Sequence, residues 1–475
     1  MKVLLVQQDL GIREVKHPMF PIGLSYIAAA LREHGVKIFD PNAYDPPSAF
    51  KELQKEVKNF KPDIVGLSIR NIDTMELRNL YTHYKTVRPT IQRIKEIDPR
   101  IIIIVGGTGF SLFAKDIMER ISEIDFGIYL EGEESTPELL ANLKTSENVK
   151  GIFIRKDGKV CFTGQRPFLD FANLPIPRMD PDVIDMTTYM GPSYNIIGIQ
   201  SKRGCILECA YCSYPFLNGK YLRLRDPVMV VDQIEYMVKE FGMEHFAFVD
   251  SVFNIPEKHA IEICKEIIQR KLNVRWGAWC HVNNFSEEFL SLAKEAGAIQ
   301  IDFSPDAVTN NGFTALKKGI TQRDIKKNLK IVRKVKGVGI GYNFFCSIPG
   351  QTFMDTVRTL ILLFKIPLLL PGRGGVGLGW IRIEPYTEIY QTAIKEGIIN
   401  KDTALLPENE EELAKLFYVP PSQRYSYAMM NFILTLVERV LKPNGILFFR
   451  LLAKIKGKKS IYDSKSGFMM DKKYK

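Results

Sequence analysis

What this sequence lacks narrows it first. It holds no apolar run approaching the ~20 residues that a bilayer-spanning helix requires, so a membrane-crossing chain is not expected. The opening Met1-Lys2-Val3-Leu4-Leu5-Val6 is too short in apolar residues for a signal peptide and reads as a first strand. Cysteine is scarce and odd in number. Of the seven, Cys161, Cys264, Cys280 and Cys346 are scattered, which argues against a disulfide framework and for a reducing cytoplasm. The paired CxxC or Cys/His set of a closed zinc site is missing. Positive charge is also missing where a nucleic-acid-binding body would need it. The net charge is +11, but residues 442–475 hold ten Lys/Arg against two Asp, so the rest of the chain is close to neutral. That balance does not suggest a highly charged substrate. At 475 residues, 45% apolar and 25% charged, the chain can build two or three domains with real cores.

What is present centres on Cys205-Ile206-Leu207-Glu208-Cys209-Ala210-Tyr211-Cys212. Three thiolates at CxxxCxxC spacing on one loop can hold three irons of a [4Fe–4S] cube, because soft sulfur suits iron–sulfur clusters. The fourth iron is then open to a small molecule. A zinc knuckle is the other reading, and it is short of ligands. The loop follows the strand-like run Asn195-Ile196-Ile197-Gly198-Ile199 and resembles the cluster loop of the radical S-adenosylmethionine (SAM) enzymes. In that family SAM chelates the open iron, and reduction cleaves it to a 5′-deoxyadenosyl radical. The resemblance places Tyr211, the aromatic before the third cysteine, at the SAM site.

Residues 1–145 alternate strand and helix patterns, with strands expected over 2–7, 36–40, 63–69, 101–105 and 126–130. Helices are expected over 22–34, 50–60, 80–97 and from 136. The unbroken Ile101-Ile102-Ile103-Ile104-Val105 is what a central parallel strand covered on both faces requires. Five such units make a doubly wound sheet whose ligand sits at the strands' carboxyl ends. There lie Phe20-Pro21-Ile22-Gly23, Val65-Gly66-Leu67-Ser68, Gly106-Gly107-Thr108 and Glu131-Gly132-Glu133. Taken singly, Gly106-Gly107 is either turn chemistry or a place where backbone approaches a ligand. As a series the segments resemble the cobalamin (B12)-binding domain that precedes many radical SAM domains. The resemblance assigns cobalamin contacts to Pro21, Gly23, Ser68, Arg70, Asn71, Gly106, Gly107, Thr108, Glu131, Gly132 and Glu133. No Asp-x-His-x-x-Gly occurs, so the resemblance implies base-off cobalamin with no histidine ligand and Arg70 below the corrin. A surface salt bridge is the other reading of Arg70.

Residues 146–194 read as a hairpin, turning at Asp157-Gly158, and an extended Leu174-Pro175-Ile176-Pro177 linker that resembles the family's connector. Strands over 195–201, 245–250, 274–280, 299–303, 339–345 and 377–383, with helices over 226–240, 256–270, 286–296, 323–335 and 353–365, suit a partial (βα)6 TIM-like barrel. By resemblance, Asp250, Ser251 and Asn254 meet the SAM amino group. Ser304 or Asp306 stands in for an absent glutamate at the ribose or carboxylate. Asn343 and Arg382 also contact SAM, and Pro349-Gly350 packs near adenine. Asp250 also reads as a helix N-cap and Pro349-Gly350 as a turn. Cys280 and Cys346 read as core.

The fold class expected is thus α/β. A Rossmann-like B12-binding domain (1–145), a hairpin and linker (146–194), a radical SAM barrel (195–399) and a small helical C-terminal region (400–475) follow one another. Helices are expected over 408–416 and 425–441. The apolar and basic run over 446–456 reads either as an amphipathic membrane-surface helix or as a helix docked on the barrel. The resemblance implies an enzyme that methylates an unactivated carbon, with a [4Fe–4S] cluster, SAM and cobalamin as cofactors. An external donor such as flavodoxin or ferredoxin would supply electrons, the substrate would be a small molecule or lipid, and no nucleic acid is implied. A cytoplasmic location, peripheral at the membrane through the tail, goes with this reading. A non-methylating cyclase or lipid-tailoring enzyme of the ladderane type is the alternative within the family. A tRNA methylthiotransferase lacks its second cysteine trio here, and a non-catalytic B12 sensor would not need the cysteine loop.

Overall fold

The computed structural model describes residues 1–8, 18–191, 193 and 196–441, and they fall into two compact units. The first comprises Met1–Gly191 with Ser213–Arg223 and Ala404–Lys415. The second comprises the described residues of 193–212, 224–403 and 416–441. Cys161 and the tail over 446–456 part company here: the former lies on a described strand, while the latter lies outside the described residues.

In the first unit, β1 (Lys2–Gln7), β2 (Gly35–Phe39), β3 (Ile64–Ser68), β4 (Ile102–Gly106) and β5 (Phe126–Ile128) are parallel. The order is β2-β1-β3-β4-β5, and β6 (Ile152–Lys156) and β7 (Lys159–Phe162) continue the sheet antiparallel. The hairpin expected as a connector is therefore part of the sheet, so the first unit does not end at residue 145. Burial on both faces explains the apolar strands: Leu4, Val65, Ile103 and Val105 are all fully covered. The helices α1 (Ile22–Ala30), α2 (Pro46–Phe60), α3 (Val87–Lys95), α4 (Thr108–Leu112), α5 (Ala114–Arg120) and α6 (Ser135–Ala141) provide that cover. The helix expected over 80–97 begins at Val87, after a 3-10 turn at His83–Thr86. Pro89 supplies the reason, because a proline is tolerated in a first turn and not in a helix interior.

In the second unit, β8 (Gly198–Ile199), β9 (His245–Phe248), β10 (Arg275–Cys280), β11 (Ala298–Asp306), β12 (Gly339–Phe345) and β13 (Gly374–Gly379) form one parallel sheet in chain order. Crossing helices follow the strands. They are α8 (Pro227–Phe241), α9 (Glu257–Gln269), α10 (Glu287–Glu295), α12 (Gln322–Lys334) and α13 (Phe353–Leu369), α7 (Tyr214–Asn218) belonging to the first unit. Their starts are set locally. Asp226 caps Val228 with Pro227 behind it, and Thr321/Asp324 and Thr352/Asp355 form capping boxes. The strand expected over 377–383 stops at Gly379. Beyond it, Ile383 and Ile381 pair with Leu416 and Tyr418 instead. A short α11 (Asn310–Ala315) was not expected. After α14 (Glu388–Lys395), the region from residue 400 divides: α15 (Glu410–Ala414) belongs to the first unit and α16 (Arg424–Leu441) to the second.

Candidate functional site

The cysteine loop leaves β8 and is braced before its first cysteine. Asp250 is buried, and its carboxylate accepts hydrogen bonds from Ser201 N at 2.8 Å, Ser201 Oγ at 2.5 Å and Lys202 N at 3.1 Å. Ser251 Oγ donates to the Gly204 carbonyl at 2.7 Å. Lys202 runs inward, donating from Nζ to Phe253 O at 2.6 Å and Ile255 O at 3.1 Å. Burial lowers its pKa below the usual lysine value, with the Asp250 charge opposing that. Asn254 is fully buried and ties the next loop, donating to His281 O and Asn284 O and accepting from His281 N. Asp250 thus ties down the entry to the cysteine loop, and Asn254 the loop after β10.

Cys205 is buried, Cys209 and Cys212 are half-buried, and none of the three is in a disulfide. Ala210 anchors the loop through Leu316 O at 3.0 Å and Ile389 N at 2.9 Å. Behind the loop, buried Lys318 pairs with Asp306 at 2.7 Å and donates to Tyr211 Oη at 3.2 Å, while Tyr211 donates to Asp306. Burial opposes the Lys318 charge, but Asp306 and then the Cys209 thiol outweigh it and hold its pKa above the usual lysine value. Burial and Asp306 push the Tyr211 hydroxyl well up, so it is a neutral donor. Asp306 is accordingly engaged by Lys318 and Tyr211. Among the described residues, no three His, Cys, Asp or Glu side chains converge on a single-metal site. Three thiols spread along one loop suit a multi-iron cluster, whose corners separate its sulfur ligands.

The sheet's inner face is polar and cleared by glycine. A Cβ at Gly341 would lie 1.9 Å from Asp302 Oδ1, at Gly339 2.1 Å from Gln300 Oε1, and at Gly377 2.0 Å from Asn343 Oδ1. Each glycine makes room for a polar side chain on the neighbouring strand. Asn343 also donates to Phe303 O at 3.2 Å. Burial pushes Asp302 up to about 6, opposed by the bond from Gln300 at 2.8 Å. Trp279, paired in register with Asp302, is 46% exposed on this face. Ser304 is half-buried two residues along the same strand. Gly350 is exposed at φ +68°, turning the chain after Pro349 into α13. Arg382 is buried beside the bridge to Phe417, donating to Ile383 O. Sequence reasoning missed Lys202, Lys318, Gln300 and Asp302 as members of the site. The first two carry no motif, and strand alternation was the available signal for the last two.

In the first unit, the loops after β1, β3 and β4 meet at the carboxyl edge. Thr108 Oγ1 donates to Arg70 O at 2.7 Å, and Arg70 Nη1 lies 3.8 Å from Met19 Sδ. Arg70 is exposed and makes no ion pair among the described residues, so the salt-bridge reading finds no partner there. Exposed Asn71 follows it. Gly107 has φ +101°, and a Cβ there would lie 2.6 Å from Ile69 O. Gly107 therefore lets the loops after β3 and β4 pack closely. Gly106 ends β4 opposite Ser68, and Pro21 is the buried N-cap of α1. Among the described residues, a Cβ at Gly23 in the first turn of α1 would meet nothing within 4 Å. Glu131 accepts from Arg223 Nη1 at 2.8 Å and Leu169 N at 3.0 Å, its side chain 10% exposed. Gly132 is walled in by Ile27 and Ile128, and Glu133 is buried.

Comparison with known proteins follows this geometry. The B12 binding domain family matches residues 9–140 and the radical SAM superfamily residues 199–363, together more than half of the chain. An uncharacterized methyltransferase of Pyrococcus horikoshii is 28% identical over 376 residues, covering 78% of this chain and 79% of that protein. The anaerobic magnesium-protoporphyrin IX monomethyl ester cyclase of Rubrivivax gelatinosus is 27% identical over 360 residues, covering 72% and 61%. Among solved structures, the radical SAM methyltransferase TsrM of Kitasatospora setae, with tryptophan and a SAM analogue bound, has a TM-score of 0.73 at 22% identity. It covers 84% of this chain and 77% of its own, a likeness of fold.

Proposed function

We propose a function from one premise: this chain belongs to the cobalamin (B12)-binding radical SAM enzymes. Its cofactors are a [4Fe–4S] cluster, SAM and cobalamin. The reading supported best is methylation of an unactivated carbon in a small molecule. When bound, the cluster and SAM supply a 5′-deoxyadenosyl radical for hydrogen abstraction, and cobalamin supplies the methyl group.

The chain's own residues hold and orient these groups. Cys205, Cys209 and Cys212 are the cluster ligands, with Lys318 as the buried cation beside them. Asp250, Ser251 and Lys202 fix the loop's entry, while Tyr211 and Asp306 fix its far side through Lys318. Ser304, Asn343 and the turn at Pro349-Gly350 line the SAM side, with Arg382 holding the end of the sheet. Gln300, Asp302 and Trp279 face the substrate, the glycines of β12 and β13 leaving it room. In the first unit Gly23, Ser68, Arg70, Asn71, Gly106 and Thr108 would form the edge that holds the corrin, with Arg70 as its exposed cation. An external donor of the flavodoxin or ferredoxin type supplies the electrons.

The observation that carries the reading is the three-thiol loop braced by buried Asp250 and Lys318, in a chain that also bears an open B12-type edge. The test is anaerobic reconstitution with iron, sulfide and hydroxocobalamin, followed by SAM and reductant. S-adenosylhomocysteine and 5′-deoxyadenosine should both accumulate, and Cys209→Ala should abolish the second. Neither product from protein loaded with iron and cobalamin would overturn methyl transfer. The similarity to the magnesium-protoporphyrin cyclase supports a second reading, radical ring formation, for which deoxyadenosine would appear alone.

A further inference from the structure

One helix of the second unit carries a stripe of positive charge in a chain that is close to neutral up to residue 441. Residues 321–336 hold seven Lys/Arg against one Asp, and all seven cations are exposed. On α12, spacings of three, four, seven, ten and eleven from Arg323 put Lys326, Lys327, Lys330, Arg333 and Lys334 on its face. Asn328 and Val332 are buried on the opposite side. Among the described residues, Lys334 pairs with Glu287 at 2.7 Å, and the other six cations make no ion pair. The one acid, Asp324, is engaged in the capping box with Thr321. Like charges three and four apart weaken a helix, so the stripe does not serve the stability of α12.

The chemistry and the place of the stripe identify the partner. The face presents charge alone: Ile325, Leu329, Ile331 and Val335 are half-buried, and α12 has no aromatic residue. A bilayer surface takes inserted apolar side chains and a nucleic-acid strand gains from stacking, and this face offers neither. It suits an acidic protein, whose opposite charge steers a brief encounter over a small area. The helix also starts at the right end of the sheet. It follows β11, whose last residue Asp306 pairs with Lys318, and Leu316 O accepts from Ala210 N of the cysteine loop at 3.0 Å. Five residues separate Lys318 from Arg323, a reach of at most ~18 Å. We propose that the cationic face of α12 docks an acidic one-electron carrier protein at the cysteine-loop end of the second unit. One electron leaves the carrier, which is oxidised, and enters the cluster, which is reduced. The inference rests on the reading of Cys205, Cys209 and Cys212 as cluster ligands.

Docking is tested without turnover. Oxidised flavodoxin, an acidic carrier, should bind the reconstituted full chain, with affinity falling as salt rises. Arg323→Glu/Lys327→Glu and Lys326→Glu/Lys330→Glu should each weaken binding about tenfold or more. Lys258→Glu/Lys265→Glu makes the same change in net charge at exposed positions of α9 and should leave affinity within about twofold of the parent. Lys326→Arg/Lys330→Arg keeps the charge and should bind as the parent does, and thermal melts check that every variant folds. With reduced flavodoxin, the two α12 reversals should slow cluster reduction by a factor like their loss of affinity, while dithionite reduces parent and variants alike. Absence of flavodoxin binding, binding indifferent to both α12 reversals, or an equal loss in the α9 variant would overturn the proposal. So would tighter binding of single-stranded DNA or phosphatidylglycerol vesicles that the α12 reversals abolish. The reading of the cysteine loop fails differently: dithionite would then reduce no cluster, while the binding comparison still decides the surface.

Discussion

At the scale of single residues, three buried acids show how context divides one side-chain chemistry. Asp250 accepts three hydrogen bonds, Asp306 pairs with Lys318, and Asp302 has only Gln300. Burial raises the pKa of all three, Asp250 and Asp306 against those bonds and the Lys318 charge and Asp302 to about 6. Between its usual 3.8 and about 6 the folded chain binds the proton more tightly than the unfolded chain. Its contribution therefore favours folding at low pH and is lost as pH rises through 6, amounting to up to about 3 kcal/mol by pH 8. Asp302→Asn should accordingly be more stable than the parent at pH 8, with the gap narrowing toward pH 5. Urea denaturation at the two values decides it, and an equal gap at both would reject an ionised Asp302.

At the scale of elements, the two glycines at the first unit's edge have opposite roles. Gly107 sits at φ +101° with Ile69 O 2.6 Å from where its Cβ would be, while among the described residues nothing lies within 4 Å of a Cβ at Gly23. Gly107→Ala should destabilise by at least about 1–3 kcal/mol from backbone strain alone, read as a lower denaturation midpoint, and should carry the Arg70 loop with it. Gly23→Ala should leave the midpoint unchanged or raise it by up to about 1 kcal/mol, as expected in a helix. Equilibrium dialysis with hydroxocobalamin should nonetheless show weaker binding, because the added methyl occupies the open turn. Unchanged binding in Gly23→Ala would remove that turn from the corrin edge. The pair separates a packing glycine from a ligand-facing one, a distinction that being glycine does not make.

At the scale of the molecule, the first unit is not a contiguous piece of chain. Residues 213–223 supply Arg223 to buried Glu131, and residues 404–415 supply Glu410 to Lys85 and Glu408 to Arg120. Leu217 and Leu406 join its core. The two exposed pairs contribute little. Loss of Arg223 would leave a buried carboxylate unpaired, worth about 3–5 kcal/mol. A fragment of residues 1–191 should therefore melt about 10 °C or more below the corresponding transition of the whole chain in calorimetry. Equal melting temperatures would show that the inserted segments add nothing to the unit.

The sequence by itself determined whatever is local in the chain. CxxxCxxC is readable because its ligands lie on one loop. The succession of strands and helices along the chain is anticipated because apolar runs and crossing helices carry their own periods, and Thr352/Asp355 and Asp226-Pro227 announce their helices without help. Tertiary structure alone decided which polar residues remain open. Asp250 and Asn254 stand at the right places for ligands, yet partners brought from 27 to 49 residues away engage them. Glu131 meets Arg223 across 92 residues, and Lys318 reaches Tyr211 across 107. Asp306 shares the parity of Asp302 and Ser304, but a register shift and φ +66° turn it toward Lys318. Spacing records what a short segment can offer. Burial depends on which distant segment arrives, and that is settled only when the chain packs.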